Sequence, residues 1–98
     1  MTRIVWTEPA VADMEAIRAY IARDNEVYAD AVVLRILESV ERLERYPLSG
    51  RVVPELGDEN LRELIVGNYR VMYEVSGSAV TIETVLHGAR AFPPDPRE

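Results

Sequence analysis

Three side chains in the second half of the chain, Arg70, His87 and Arg90, could take part in phosphate or acid–base chemistry. Imidazole accepts and donates protons near neutral pH, and the Gly-Ala-Arg sequence after His87 would leave it near Arg90. Attack of a ribose 2′-hydroxyl on its own phosphodiester needs a proton acceptor, a proton donor and positive charge at the phosphate. A lone histidine at a strand end is more often structural or exposed, so the residues alone leave both interpretations open.

The elements that must position these side chains begin with a predicted antiparallel strand meander over residues 62–87. Gly67-Asn68 has glycine first, as a type II′ hairpin turn requires, and we expect Val66 to face Tyr69 across it. We take Ser76-Gly77 as the second two-residue turn. One face of the meander is then apolar and should cover the helices: Leu64, Val66, Val71, Tyr73, Val80, Ile82 and Leu86.

The other face of the meander is where function could lie. This register places Glu83 directly opposite Arg70, and Glu63 lies nearby on the preceding strand. Two carboxylates would neutralise the arginine and repel a phosphate. The remaining members of this face are Met72, Thr81, Val85 and His87.

The first half of the chain predicts one strand and two helices. Residues Arg3 to Trp6 form a short apolar strand, and Thr7-Glu8-Pro9 is typical of a helix start. Apolar residues recur at helical spacing but shift phase by one residue at Asp24-Asn25, which predicts two antiparallel helices with Asn25 as the second N-cap. The stripes are Ala10, Met14, Ile17 and Ile21, then Ala29, Val33, Ile36, Val40 and Leu43.

A long connection from Pro47 to Asn60 joins the helices to the meander. Connections of this length in small domains are usually functional or packed, and Val52, Val53 and Leu56 predict a packed flap. The complete prediction is a single α/β domain of the α+β type, residues 1–98, with element order β-α-α-β-β-β and the helices covering one sheet face.

Composition narrows the function classes. The 98 residues carry 11 basic and 17 acidic side chains, a net charge of −6, and every basic residue is arginine. The acidity is spread evenly, without the basic patch that unaided nucleic-acid binding needs. The absence of cysteine excludes thiolate metal sites, and we expect neither metal nor cofactor. Without a signal-peptide core or an apolar run of membrane-spanning length, we expect a soluble cytoplasmic protein with no membrane contact.

Four sequence blocks, in this order, carry a family resemblance: WTEPAVADMEAIRAYIARDN, GRVVPEL, YRVMYEV and VLHGAR. The chain resembles the ParE/RelE toxin superfamily, specifically its ParE branch, over nearly its whole length. The resemblance implies a type II toxin that inhibits DNA gyrase by protein–protein contact. It also implies a cognate ParD-like antitoxin as partner, with DNA contacted only through that antitoxin. No catalytic residue is then expected, and partner binding is predicted for Arg70, Arg90 and Phe92.

Two alternatives stay open. In ribosome-dependent nucleases of the RelE type this sheet face cleaves messenger RNA, and here Arg70, His87 and Arg90 would do that work. Those relatives place lysines where this chain has Leu61 and Glu63, which counts against cleavage. The second alternative is a non-toxic subunit that serves as a co-repressor.

An exposed Phe92 in the proline-rich tail, AFPPDPRE, favours a docking role for that tail.

Overall fold

The computed structural model describes residues 1–88, in which a sheet and two helices follow the predicted order. The strands are β1 (Arg3–Trp6), β2 (Arg51–Val52), β3 (Leu61–Val66), β4 (Tyr69–Ser76) and β5 (Ala79–His87); the helices are α1 (Glu8–Ala22) and α2 (Glu26–Glu41), followed by a 3-10 turn at Arg42–Glu44. The described strands form one sheet in the order β1-β5-β4-β3-β2. β1 is parallel to β5, and the other neighbours are antiparallel. The short β2 is an element that the sequence did not predict.

Side-chain caps define both helix starts. The Thr7 hydroxyl accepts a hydrogen bond from the Ala10 N–H at 3.2 Å, and the Asn25 side chain accepts one from the Tyr28 N–H at 2.9 Å. These caps satisfy backbone donors that have no partner within the helix. The predicted break at Asp24-Asn25 is therefore confirmed. On α2, Val32 is buried whereas Val33, the predicted core residue, is only half-buried.

The two hairpin turns obey the same glycine rule. Gly67 has φ +58° and Val66 pairs with Tyr69, as predicted. Ser76 pairs with Ala79, so the second turn is Gly77-Ser78, with Gly77 at φ +57°. The predicted Ser76-Gly77 turn was wrong because a type II′ turn needs its positive φ at the first central residue, and glycine adopts that conformation without strain.

A β-bulge in β5 changes which side chains share a face. Met72 pairs with Thr84 while Tyr73 pairs with Ile82, so Glu83 is an extra residue between them. Beyond the bulge, Val85 joins the helix-side core and Leu86 the opposite face, the reverse of our prediction. Arg70 consequently lies opposite Leu86 and not opposite Glu83. A one-residue insertion exchanges the faces because side chains alternate along a strand.

The face away from the helices has a small core of its own. Val53, Leu61, Met72 and Leu86 are buried together, and Leu56 packs against them. Val53 and Leu56 belong to the flap, residues 53–58, whose backbone is held by the Val53 N–H to Leu61 oxygen bond of 3.2 Å. The predicted packing of Val53 and Leu56 is thus confirmed, and the flap covers part of the sheet face. Neither helix within residues 1–88 has the length and apolar character to cross a bilayer.

Candidate functional site

Arginines and glutamates alternate on the sheet face beside the flap. Arg51 Nε donates to Glu63 Oε2 at 2.5 Å, and Arg70 Nε donates to Glu63 Oε1 at 2.7 Å. Arg70 continues to the flap, where its Nη1 and Nη2 each donate to one oxygen of Glu55 at 3.1 Å. The four side chains therefore form one chain in the order Arg51, Glu63, Arg70, Glu55, which we call the ion chain.

Burial makes this ion chain a strong constraint on the local structure. The Glu63 side chain has no exposed surface, and the Arg70 side chain is 11% exposed. A charge removed from water is costly unless opposite charges and hydrogen bonds compensate it. Glu63 has an arginine on each of its two oxygens, so the compensation is direct. The ends of the chain, Arg51 and Glu55, reach solvent.

The hydrogen bonds of the ion chain shift two ionisation equilibria. Those from Arg70 lower the pKa of the Glu55 carboxyl below its ordinary value of 4.5, and the charge of Arg51 adds to this. The bonds with Glu55 raise the pKa of the Arg70 guanidinium, those with Glu63 add to this, and burial opposes them. Both shifts favour the charged forms, because opposite charge and hydrogen bonding stabilise an ion.

The prediction of two acids near Arg70 is confirmed for one of them and wrong for the other. We expected Glu63 beside Arg70 and a cross-strand pair with Glu83. Glu63 does bind Arg70, but the flap residue Glu55 provides the second carboxylate. Its guanidinium is occupied by the protein's own acids. For Arg70 to bind a phosphate in the same way, the Glu55 contact would have to open.

His87 lies on the other side of the sheet from Arg70. Its ring makes an edge-on contact with Tyr69, with centroids 5.4 Å apart and planes at 85°. Tyr69 packs against the helix-side core, and Arg70 is its neighbour along the strand, so their side chains point to opposite faces. His87 and Arg70 nevertheless both line a cavity of about 500 Å³ where the sheet ends. The bulge that displaces Val85 also places His87 with Tyr69.

The remaining predicted site residues, Arg90 and Phe92, lie outside the described residues. Two members of the ion chain, Arg51 and Glu55, were missed by sequence reasoning. Arg51 could have been found only by pairing β2 with β3, where it lies opposite Glu63. Glu55 sits in the non-repetitive flap, so periodicity carries no signal for its contact with Arg70.

A second depression, of about 650 Å³, separates α1 from the end of β5. Its apolar walls include Ile17, Tyr20 and Val85. Asp13 also lines the depression and bonds to the sheet. One Asp13 oxygen, Oδ2, accepts hydrogen bonds from the Thr84 hydroxyl at 2.6 Å and the Val85 N–H at 3.0 Å. Asp13 thus holds the β5 edge just beyond the last residue that β1 covers. No three potential metal-binding side chains come together within residues 1–88.

Comparison with known proteins assigns the family. Residues 4–92 match the family model described as the ParE toxin of the type II toxin–antitoxin system parDE. The chain belongs to the ParE toxin family. This confirms the resemblance that the four sequence blocks indicated.

Two curated relatives of this ParE family member are toxins by name. The chain is 37% identical over 91 residues to Toxin RelE2 of Caulobacter vibrioides, an alignment that covers 92% of the chain and 99% of the relative. It is also 37% identical over 93 residues to the Putative toxin Y4kP of Sinorhizobium fredii, covering 93% of each. The family and these relatives establish the chain as a type II toxin–antitoxin toxin of the ParE family.

A solved structure confirms the ParE fold. The chain superposes on a component of the chromosomal ParDE toxin–antitoxin system from P. aeruginosa with a TM-score of 0.73, covering 89% of this chain and 96% of the other. Sequence identity is 24%, so this likeness shows the fold alone. The predicted α+β class, with strand, helix pair and antiparallel strands, agrees with it.

Proposed function

We propose that this ParE family member inhibits DNA gyrase by protein–protein contact and is neutralised by a cognate ParD-like antitoxin. In this proposal it acts in the cytoplasm and makes no membrane contact. DNA is contacted only through the antitoxin. Membership of the ParE family is the observation that carries the proposal.

The ion chain supports a binding function over RNA cleavage. Phosphoryl transfer needs cations that face the reacting phosphate. Arg70 is the only arginine of the nuclease hypothesis within residues 1–88, and its guanidinium is bonded to Glu55 and Glu63. The net charge of −6 also opposes a polyanionic substrate.

The RelE-like nuclease remains a second candidate, because one 37% identical relative is named Toxin RelE2. On that hypothesis Glu55 would leave Arg70 when RNA binds, and Arg70, His87 and Arg90 would act on the phosphate. His87 and Arg70 line the same cavity, which is the structural feature in its favour.

The test is a gyrase supercoiling assay with purified protein, with and without ATP, beside a cleavage assay on ribosome-bound messenger RNA. We expect gyrase-dependent cleaved plasmid and intact messenger. Cut messenger with intact plasmid would reject gyrase as the target and favour the nuclease. Inactivity in both assays, with normal growth on overexpression, would favour the co-repressor.

A matched pair of variants sharpens this comparison. Glu55→Ala removes the carboxylate from Arg70, whereas Glu59→Ala removes an exposed carboxylate that follows the same flap. If the chain is a nuclease, freeing Arg70 should raise messenger cleavage severalfold, and Glu59→Ala should leave it unchanged. On our proposal neither variant cuts messenger RNA.

A further inference from the structure

Arg51 ends the ion chain with hydrogen-bond donors for which residues 1–88 provide no acceptor. Its Nε is bonded to Glu63, but Nη1 and Nη2 make no hydrogen bond with any residue in the range 1–88. The side chain is 59% exposed and lines the cavity of about 500 Å³ at the end of the sheet. The bond to Glu63 fixes the guanidinium, so its outer edge is held in place and bonds to none of the residues 1–88.

Two exposed residues, one polar and one apolar, line the same cavity. Asn68 is exposed at the second position of its hairpin turn, and its side-chain amide bonds to none of the described residues. Ile65 is 55% exposed on the neighbouring strand and contributes apolar surface. Arg51, Asn68 and Ile65 together offer a cation, an amide donor and an apolar contact.

We propose that this cavity binds an acidic side chain of a protein partner, with its carboxylate on the outer edge of the Arg51 guanidinium. Arginine donors match a carboxylate in geometry as well as in charge. Asn68 supplies a further donor to the acidic segment, and an apolar residue beside the acid packs on Ile65. The proposal rests on the proposed function only in that the chain acts through protein contacts.

Local charge favours one carboxylate over a chain of phosphates. Glu55 lines the cavity, and its carboxylate remains ionised because Arg70 is bonded to it. A polyanion would bring several charges toward this acid and toward a protein of net charge −6. A single carboxylate brings only one charge toward Glu55 and can pair with the Arg51 guanidinium, and its apolar neighbour gains a contact with Ile65 that a nucleic-acid backbone does not offer.

The experiment uses the peptide acetyl-Leu-Asp-Leu-amide and its neutral twin acetyl-Leu-Asn-Leu-amide. Titration into the ¹⁵N-labelled full chain should give saturable NMR shifts at the Arg51 Nε–H and the Asn68 side-chain amide with the Asp peptide. The Asn peptide should bind at least about tenfold more weakly, because it lacks the charge that pairs with Arg51.

The two hairpin turns provide a matched control. Asn68→Asp places a negative charge at the cavity without touching the ion chain, and it should weaken Asp-peptide binding about tenfold. Ser78→Asp introduces the same charge at the equivalent position of the Gly77-Ser78 turn and should leave binding unchanged.

Equal binding of the two peptides, equal loss in the two Asp variants, or stronger binding of an oligouridylate would overturn the proposal. The gyrase assay separates this outcome from failure of the proposed function. Wild-type protein that inhibits gyrase but binds no Asp peptide would retain the function and reject the site. Protein that binds the Asp peptide selectively without inhibiting gyrase would retain the site and reject gyrase as the target.

Discussion

The Glu63 carboxylate and the Arg70 guanidinium form an ion pair inside the protein, where the Glu63 side chain is fully buried. The sequence predicts Arg70 as a partner-binding residue or, in the nuclease alternative, as a phosphate ligand, yet here a buried acid and a flap acid bind it. Arg51 and Glu55 extend this pair, so the whole ion chain joins β2, β3, β4 and the flap.

Replacing Glu63 should be strongly destabilising. Glu63→Gln removes the charge that compensates Arg51 and Arg70, and we expect the free energy of unfolding to fall by about 3 kcal/mol. Urea denaturation followed by circular dichroism measures this. Glu38→Gln, at an exposed position of α2, is the control and should change stability by less than about 0.5 kcal/mol. Similar values for both variants would mean that the buried pair contributes little.

Acid should weaken the contact between the flap and Arg70. The folded-state pKa of Glu55 is depressed, so its stabilising contribution is present above the unfolded value of 4.5 and is lost as pH falls through the lower folded value. Glu55→Gln should reduce the dependence of stability on pH below about 4.5. We would measure urea midpoints from pH 6 downward. Unchanged pH dependence in the variant would contradict the assignment.

The sequence predicted the elements well because capping, glycine and periodicity act locally. Thr7, Asn25 and Gly67 all occupy the positions that their chemistry predicts. The second turn was also within reach, since the rule applied at Gly67 places Gly77 first in its turn. Glycine at the first central position distinguishes the observed Gly77-Ser78 turn from the predicted Ser76-Gly77 turn.

The bulge and the flap contact could not be predicted in the same way. The bulge at Glu83 has no distinctive residue type in the sequence, yet it exchanges the faces of Val85 and Leu86. Glu55 reaches Arg70 across 15 positions of the sequence, through a loop without repeating structure. Both features depend on three-dimensional packing, which is why the candidate site was predicted less completely than the fold.

Tyr73 should anchor the start of the flap connection. Its hydroxyl accepts a hydrogen bond from the Gly50 N–H and donates one to the Pro47 oxygen, each at 2.9 Å. Tyr73→Phe leaves both backbone groups without this partner and should cost about 2 kcal/mol in thermal or urea unfolding. Tyr46→Phe, at a 59% exposed position, should be nearly neutral. A neutral Tyr73→Phe would show that water replaces the hydroxyl.

Gly50 should not tolerate a side chain. A Cβ at this position would lie 2.5 Å from the Tyr73 hydroxyl and 2.6 Å from the Glu63 backbone oxygen. Moving a tyrosine side chain relieves only the first contact, because the second is with a strand backbone. We expect Gly50→Ala to lower the free energy of unfolding by about 2 to 3 kcal/mol. Gly57→Ala separates backbone strain from crowding as a cause of lost stability. A Cβ at Gly57 would have no atom within 4 Å, but the residue has φ +65°, so any loss of stability there comes from strain.

The tail prediction concerns residues outside the described range. Phe92 follows the predicted partner-binding residue Arg90 and lies in a proline-rich segment, which favours docking over helix formation. Phe92→Ala should weaken antitoxin binding or toxicity at least severalfold, measured by calorimetry and by growth on induction. Pro94→Ala in the same tail is the control. Deletion of residues 91–98 with both properties intact would reject a docking role.

Asp13 should stabilise the end of β5 that lies beyond its pairing with β1. Its Oδ2 accepts hydrogen bonds from Thr84 and Val85, so Asp13→Ala should speed amide exchange at Val85 and lower stability by about 1 to 2 kcal/mol. Asp30→Ala removes an exposed helix carboxylate that pairs with Arg18, and such surface pairs contribute only about 0.5 kcal/mol. Val85 exchange should not respond to that change.

Because Asp13 and Val85 also line the depression between α1 and β5, loss of this contact should loosen that surface without disturbing the ion chain on the opposite face. Faster exchange at Glu63 and Arg70 in Asp13→Ala would instead show that the two faces unfold together.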